Sequence, residues 1–255
     1  IALALYLFTY LPLAVVFTAS VNDTRFGSEW RGFTLDWYRA ASEDTVIREA
    51  IQNTFILAGA STAIATALGT MLAYGLARHV SRAGKWVSGA MLLPIAVPDI
   101  VMAVALLLFF SLVREWTGLF KPGFATMILA HVTFQLPFVA LVVGARLRGF
   151  DRSLEEAASD LGASRGQRLW RVTLPLLRPG IIAGALLAFT LSLDDFVVSF
   201  FTSGPGTTTL PIYIYAAVKR GLTGEIHALA SLLILAAAAG TIGVTFLQSR
   251  NKRSV

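Results

Sequence analysis

Three carboxylates, Asp99, Asp194 and Asp195, interrupt stretches that are otherwise apolar, with no Lys or Arg at comparable depth. A carboxylate inside a bilayer costs about 2.5 to 3.5 kcal/mol on insertion scales, so each must face a wet cavity or a partner. The chemistry such groups offer is recognition of a cation, which supplies the missing countercharge. His131 and Gln135 lie one helical turn apart and share a face. With the acids they are read as a polar belt around a passage, or, for His131 and Gln135, as hydrogen bonds between helices. The side chains of an adjacent pair diverge by about 100° on a helix. Asp195 is therefore expected to line the route while Asp194 bonds to a neighbouring helix. Pro94 and Pro98 suggest a broken helix whose freed carbonyls attract cations, or one in which Asp99 caps the helix that resumes.

The elements that must position these groups follow from composition. Of 255 residues, 56% are hydrophobic and 14% charged, with a mean hydropathy of +0.69, whereas soluble chains carry about 25% charged residues. A bilayer core of about 30 Å needs about 20 apolar residues per helix. Six runs qualify, at about 1–20, 55–77, 86–113, 124–145, 181–201 and 228–247. Counted at about 1.5 Å per residue from one side, Asp99 and Asp194 both come to lie about 20 Å deep, and His131, entered from the other side, near the same level. The chain opens inside its first apolar run with neither Met nor a basic start, which favours a retained helix over a signal peptide. One all-helical membrane domain over residues 1–255 is expected, with no internal repeat and no linker.

The excess of Lys and Arg over Asp and Glu, 21 against 15, does not mark a nucleic-acid binder, because the bases lie between the apolar runs. One set of alternate loops holds thirteen bases; the opposite set holds eight, matched by eight acids. Bases resist translocation, so the first set is expected in the cytoplasm together with both chain ends. With no cysteine, thiolate catalysis, disulfides and Cys-type metal sites are excluded. On the outer side, loop 21–52 carries Trp30, Phe33, Trp37 and Tyr38, residues suited to anchoring at headgroup level, and Thr34 is placed to cap a short helix. After the fifth run, turn residues at 204–206 precede an apolar stretch too short to span. It is read as a re-entrant helix whose Tyr213 either reaches the pathway or anchors it.

The longest cytoplasmic connection, residues 146–180, reads as a structured element. Ser153, Glu155 and Glu156 suggest a capping box, followed by a helix through Ala157, Ala158 and Asp160 that weakens at Gly162 after about three turns. Pro175 and Pro179 are expected to punctuate the return to the membrane. The spacing Glu156-Ala157-Ala158, three residues, Gly162, nine residues, Val172, one residue, Leu174-Pro175 resembles the EAA loop of permease subunits in binding-protein-dependent ABC importers. Val172 stands where that loop usually has Ile. The resemblance implies a six-helix, type I importer permease fold, with Ser153, Glu155, Glu156, Ala157, Ala158, Asp160 and Gly162 forming a coupling helix that docks on a cytoplasmic ATPase.

A second resemblance, carried by Ser192 to Val198, by Gly204 to Gly206 with Leu210 to Tyr215, and by Asp99, is to the spermidine/putrescine branch of that family. It implies a multi-pass protein of the bacterial inner membrane with a second, related permease subunit, two ATPase subunits and an external solute-binding protein. No G-x-x-x-x-G-K-[ST] loop occurs, so no catalytic role and no cofactor are expected in this chain, and ATP with Mg would be bound by the partner ATPase. Other small solutes, such as an amino-acid derivative, an opine or a metal complex, stay open as cargo. So do an ion-coupled carrier, which would need no EAA loop, and an intramembrane aspartyl protease, which would pair Asp99 with Asp194 or Asp195.

Overall fold

The computed structural model describes residues 2–26, 29–78 and 81–251. Its helices are α1 (Ala2–Ser20), α2 (Asp36–Glu43), α3 (Thr45–Arg78), α4 (Arg82–Ala90), α5 (Leu93–Ala96), α6 (Asp99–Thr117), α7 (Phe124–Arg148), α8 (Ser153–Asp160), α9 (Arg165–Arg168), α10 (Leu174–Leu193), α11 (Val197–Thr202), α12 (Leu210–Arg220) and α13 (Gly224–Asn251). A π-helical turn, Leu169–Thr173, joins α9 to α10. Among the described residues there is no strand, only a bridge between Asn22 and Phe33. Five stretches are long and apolar enough to cross a bilayer: α3, α6, α7, the run from Arg165 to Leu193, and the run Gly224–Gly243. Helix α1 covers the first expected run from Ala2 on.

The chain divides into two compact units, residues 1–49 with 213–255, and residues 50–212. In the first, Trp37 of α2 donates from Nε1 to the Asn22 carbonyl at 2.9 Å, and the Tyr38 hydroxyl meets the Ser20 hydroxyl at 2.8 Å. The Thr34 hydroxyl accepts from the Asp36 amide at 3.1 Å, but Leu35 is the N-cap of this helix and makes no side-chain cap, so Thr34 stands one residue before the position expected for it. Of the four aromatic residues read as anchors, Trp30 and Phe33 are exposed, while Trp37 and Tyr38 are pinned within the unit. The indole of Trp37 lies so close to Gly224 that no Cβ fits there.

The second unit is built around α7. Val139 is fully buried and meets Gly69 of α3 on one side and Gly184 of α10 on the other, so three helices approach through missing side chains. A Cβ on Gly69 would come within 2.8 Å of the Val139 Cβ and 3.0 Å of the Leu136 carbonyl. Gly69→Ala is therefore expected to lower stability by about 1–3 kcal/mol through overpacking, read as a lower midpoint in thermal unfolding of the purified protein.

Two expectations about the spans need correction. Residues 86–113 do not form one helix: Val97, which precedes Pro98, is extended (φ −82°, ψ 133°), and the chain resumes as α6 at Asp99. Depth counted residue by residue from Trp86 therefore does not hold. Helix α3 starts ten residues earlier than the apolar run, at Thr45 and not at Phe55, because the Asp44 carboxylate accepts from the amides of Val46 (2.7 Å) and Ile47 (3.3 Å). Pro175 and Pro179 do not interrupt the return to the membrane. Pro175 sits in the first turn of α10, where a missing N–H is harmless, and Pro179 is accommodated inside it.

Candidate functional site

Asp99, in the first turn of α6, and Asp194, one residue past the end of α10, are both exposed and line one cavity of about 320 Å³. Pro94, Phe134, Phe138 and Phe196 contribute further walls. On α7, Phe134 and Phe138 repeat at one helical turn, as do His131 and Gln135, so the helix turns an aromatic stripe to the cavity and a polar stripe to its neighbours. Two unpaired carboxylates among aromatic rings form a surface that attracts an organic cation by charge and by ring quadrupoles together.

Asp195 lines the same cavity and is also built into the fold. Helix α10 stops at Leu193 and α11 starts at Val197; between them the Asp195 carboxylate accepts from the amides of Val198 (3.2 Å) and Ser199 (2.7 Å). It thus caps the second half of a broken helix. The same carboxylate lies 3.3 Å from His131 Nε2, and its side chain is 10% exposed. Asp195 is thus a wall of the same cavity as Asp99 and Asp194 and is tied to neighbouring helices as well, while Asp194 faces the cavity without the bond to a neighbouring helix expected of it. The expectation assumed a continuous helix through both residues, which the break removes.

His131 and Gln135 are both fully buried, so they stand behind the cavity wall and do not line a passage. His131 Nδ1 is 2.8 Å from the Ser192 hydroxyl and Nε2 is 3.0 Å from that of Ser199. A carboxylate only accepts, so the contact with Asp195 calls for a proton on Nε2. Gln135 donates from Nε2 to the Ser61 hydroxyl at 3.2 Å, and Ser61 reaches Ser192 at 3.4 Å. The donor chain Gln135, Ser61, Ser192, His131 ends on Asp195 and ties α3, α7, α10 and α11 together. Sequence reasoning found its two ends but missed Ser61, Ser192 and Ser199. Only Ser199, four residues after a capping Asp, left a local trace. Tyr213, on α12, is not a wall of this cavity.

The EAA-type segment folds as a separate peg. Helix α8 spans Ser153–Asp160, about two turns and not three. Its cap is not the Ser153 box: the Asp151 carboxylate accepts from the Ser153 amide at 2.9 Å, because Ser153 is already the first helical residue. That amide, followed by the Ser153 hydroxyl, holds the Asp151 carboxyl below its usual range. At the other end Gly162 takes φ +81°, and the amides of Gly162 and Ala163 bond back to the carbonyls of Ser159 and Ala158. This is the left-handed stop that Gly makes at low cost.

Glu156, Ala157 and Asp160 are exposed, and Ala158 is half-buried. Glu155 is turned the other way. It is buried, pairs with Arg78 at the end of α3 and accepts from the Thr173 hydroxyl in the π-helical turn. Its carboxylate is thus an anchor for the peg and is not presented to a partner. Arg78 also stacks on Tyr74, with 5.2 Å from the guanidinium carbon to the ring centre. Nothing local in the sequence signals Arg78 or Thr173 as partners of Glu155.

Residues 65–255 match the family model described as binding-protein-dependent transport system inner membrane component. The chain is 40% identical over 232 residues to the spermidine/putrescine transport system permease protein PotC of Escherichia coli strain K12, covering 91% of this chain and 86% of that protein. It is 38% identical over 241 residues to the putrescine transport system permease protein PotI of the same organism, covering 94% and 84%. A crystal structure of a bacterial alginate ABC transporter in complex with an alginate pentasaccharide-bound periplasmic protein aligns with a TM-score of 0.72 at 22% identity, over 96% of this chain and 88% of that one. That likeness shows the fold, a type I ABC importer permease. With the EAA spacing on a two-turn peg and the family match running from α3 to the end of the chain, this protein belongs to the binding-protein-dependent transport system inner membrane components, a family of multi-pass transport subunits and not of enzymes.

Proposed function

We propose that this chain is one of two permease subunits of an ATP-driven importer for polyamines such as putrescine and spermidine, working by alternating access. The observation that carries the reading is the cavity in which Asp99 and Asp194 lie exposed among Phe134, Phe138 and Phe196. Linear polycations supply the countercharge that two such carboxylates lack, and their methylene stems suit aromatic walls. The identities to PotC and PotI agree with this cargo.

In this reading the exposed side of α8 docks on a cytoplasmic ATPase, so the loops richest in Lys and Arg and both chain ends lie in the cytoplasm. Two ATPase subunits bind ATP and Mg²⁺, the second permease subunit is a related but different chain, and a solute-binding protein delivers cargo from outside. Radiolabelled putrescine and spermidine uptake in proteoliposomes holding the whole assembly tests the proposal. Uptake is expected to need ATP and binding protein, and to survive collapse of the ion gradients. Uptake that follows the gradients, or that is absent for both polyamines while another solute moves, overturns it.

A further inference from the structure

Away from the carboxylate cavity, the membrane-crossing helices α3 and α10 leave a groove of about 760 Å³ open between them. Its floor is apolar, with Ala63, Ala67 and Met71 on α3 facing Leu177, Ile181 and Ala185 on α10. At the end nearest α8 the groove runs into a second pocket of about 530 Å³, and Tyr74 and Leu169 are walls of both. The second pocket is basic: it contains Arg78, Arg165 and Arg168 against the single acid Glu155.

Glu155 neutralises Arg78, and among the described residues neither Arg165 nor Arg168 makes an ion pair. The Nε of Arg168 is buried without a hydrogen-bond partner. A buried guanidinium N–H left unmatched is costly, and a phosphodiester, bound through paired N–H groups, is the partner it matches best. Trp170, which also lines the groove, is 72% exposed, as befits a ring at headgroup level.

An apolar trough that ends in an unmatched basic pocket has the shape of an amphiphile. We infer that it holds an anionic phospholipid, with an acyl chain along Ala63, Ala67 and Met71 and the phosphate at Arg165 and Arg168. Basic pockets between membrane helices bind lipid headgroups by this chemistry. The Thr70 hydroxyl, buried without a partner one turn from Tyr74, stands where a glycerol ester carbonyl would accept from it. The rival occupant is a transmembrane helix of another subunit. It would pack closely on the small residues and take hydrogen bonds from the unpartnered hydroxyls of Thr62, Thr66 and Thr70. It leaves the two arginines unmatched, and their charge decides for lipid. The inference stands whichever solute the transporter moves.

The test is lipid retention by the purified complete transporter, read by native mass spectrometry after incubation with dioleoyl phosphatidylglycerol, dioleoyl phosphatidylcholine or inorganic phosphate. Phosphatidylglycerol is expected to be retained about tenfold better than phosphatidylcholine, equivalent to about 1.4 kcal/mol. Arg165→Gln with Arg168→Gln is expected to erase that preference. Among the described residues neither arginine side chain makes a hydrogen bond within the fold, so the variant should assemble. Ala67→Phe, which fills the trough from an exposed position, is expected to weaken both lipids while the arginines stay in place. Equal retention of the two lipids by the unmodified transporter overturns the inference. Full competition by inorganic phosphate does so too, since it would mean that the trough contributes nothing. So does efficient disulfide formation between Ala67→Cys and a cysteine placed in the second permease subunit.

Discussion

Glu155→Gln is expected to reduce ATP-driven uptake to below a tenth while the transporter still assembles and still hydrolyses ATP. The carboxylate is buried where α8, the end of α3 and the π-helical turn meet, paired with Arg78 and bonded by Thr173. Removing one member of a buried pair leaves the other charge uncompensated and costs about 3–5 kcal/mol. An eight-residue helix has little stability of its own to offset that loss. Its lever on α3 and α10 would therefore slacken before the fold fails. ATP hydrolysis measured beside uptake separates the outcomes: hydrolysis should persist but lose its stimulation by loaded binding protein. A double variant, Arg78→Met with Glu155→Leu, removes both charges and should recover much of the uptake if the pair acts only as a rigid joint. Unchanged uptake in Glu155→Gln would show that the joint transmits nothing.

What could be read in the residues themselves was the part governed by near neighbours. Gly162 was legible as a stop because a left-handed turn after an acidic helix favours Gly, and it takes φ +81°. His131 and Gln135 were legible as one face because they are four residues apart, and both are fully buried on it. The peg was legible through the resemblance of the Glu156 to Pro175 spacing to the EAA loop. What was not legible depended on distant groups. Glu155 is sequence-adjacent to the residue that carries the motif, yet its role is set by Arg78, 77 positions away. That Asp195 is a helix cap as well as a cavity wall was not legible, because the helix breaks between Leu193 and Val197 and the acceptors that stabilise the break come from Asp195 itself. Asp99 was placed by counting along a helix that Pro94 and Pro98 do not allow to form, although the level it shares with Asp194 survives in the cavity they line. The Ser153 box did not form because the helix starts at Ser153 itself, whose amide is taken by the Asp151 carboxylate.

The different surroundings of the two aspartates lead to the sharpest test of the proposed cargo. Asp99→Asn with Asp194→Asn removes the two exposed carboxylates from the cavity without touching a hydrogen bond that holds the fold, since among the described residues neither makes one. Two unit charges about 4 Å apart at an effective dielectric of about 20 attract by about 4 kcal/mol, and loss of even half of that for one ammonium group costs about thirtyfold in binding. Uptake of spermidine at subsaturating concentration should therefore fall by at least about tenfold in the double variant, with the thermal midpoint unchanged. Asp195→Asn should behave in the opposite sense. The amide keeps an oxygen for one helix N–H but turns an NH₂ toward the donors of Ser199 and His131, so the cap and the donor chain both lose a partner. Its thermal midpoint should fall, by an amount equivalent to about 1–3 kcal/mol for an unmatched buried group, and any loss of uptake should track that instability. If Asp195→Asn abolishes uptake at full stability while the double variant transports normally, the charge that meets the cargo in this cavity is the capping one, and Asp99 and Asp194 do not hold it.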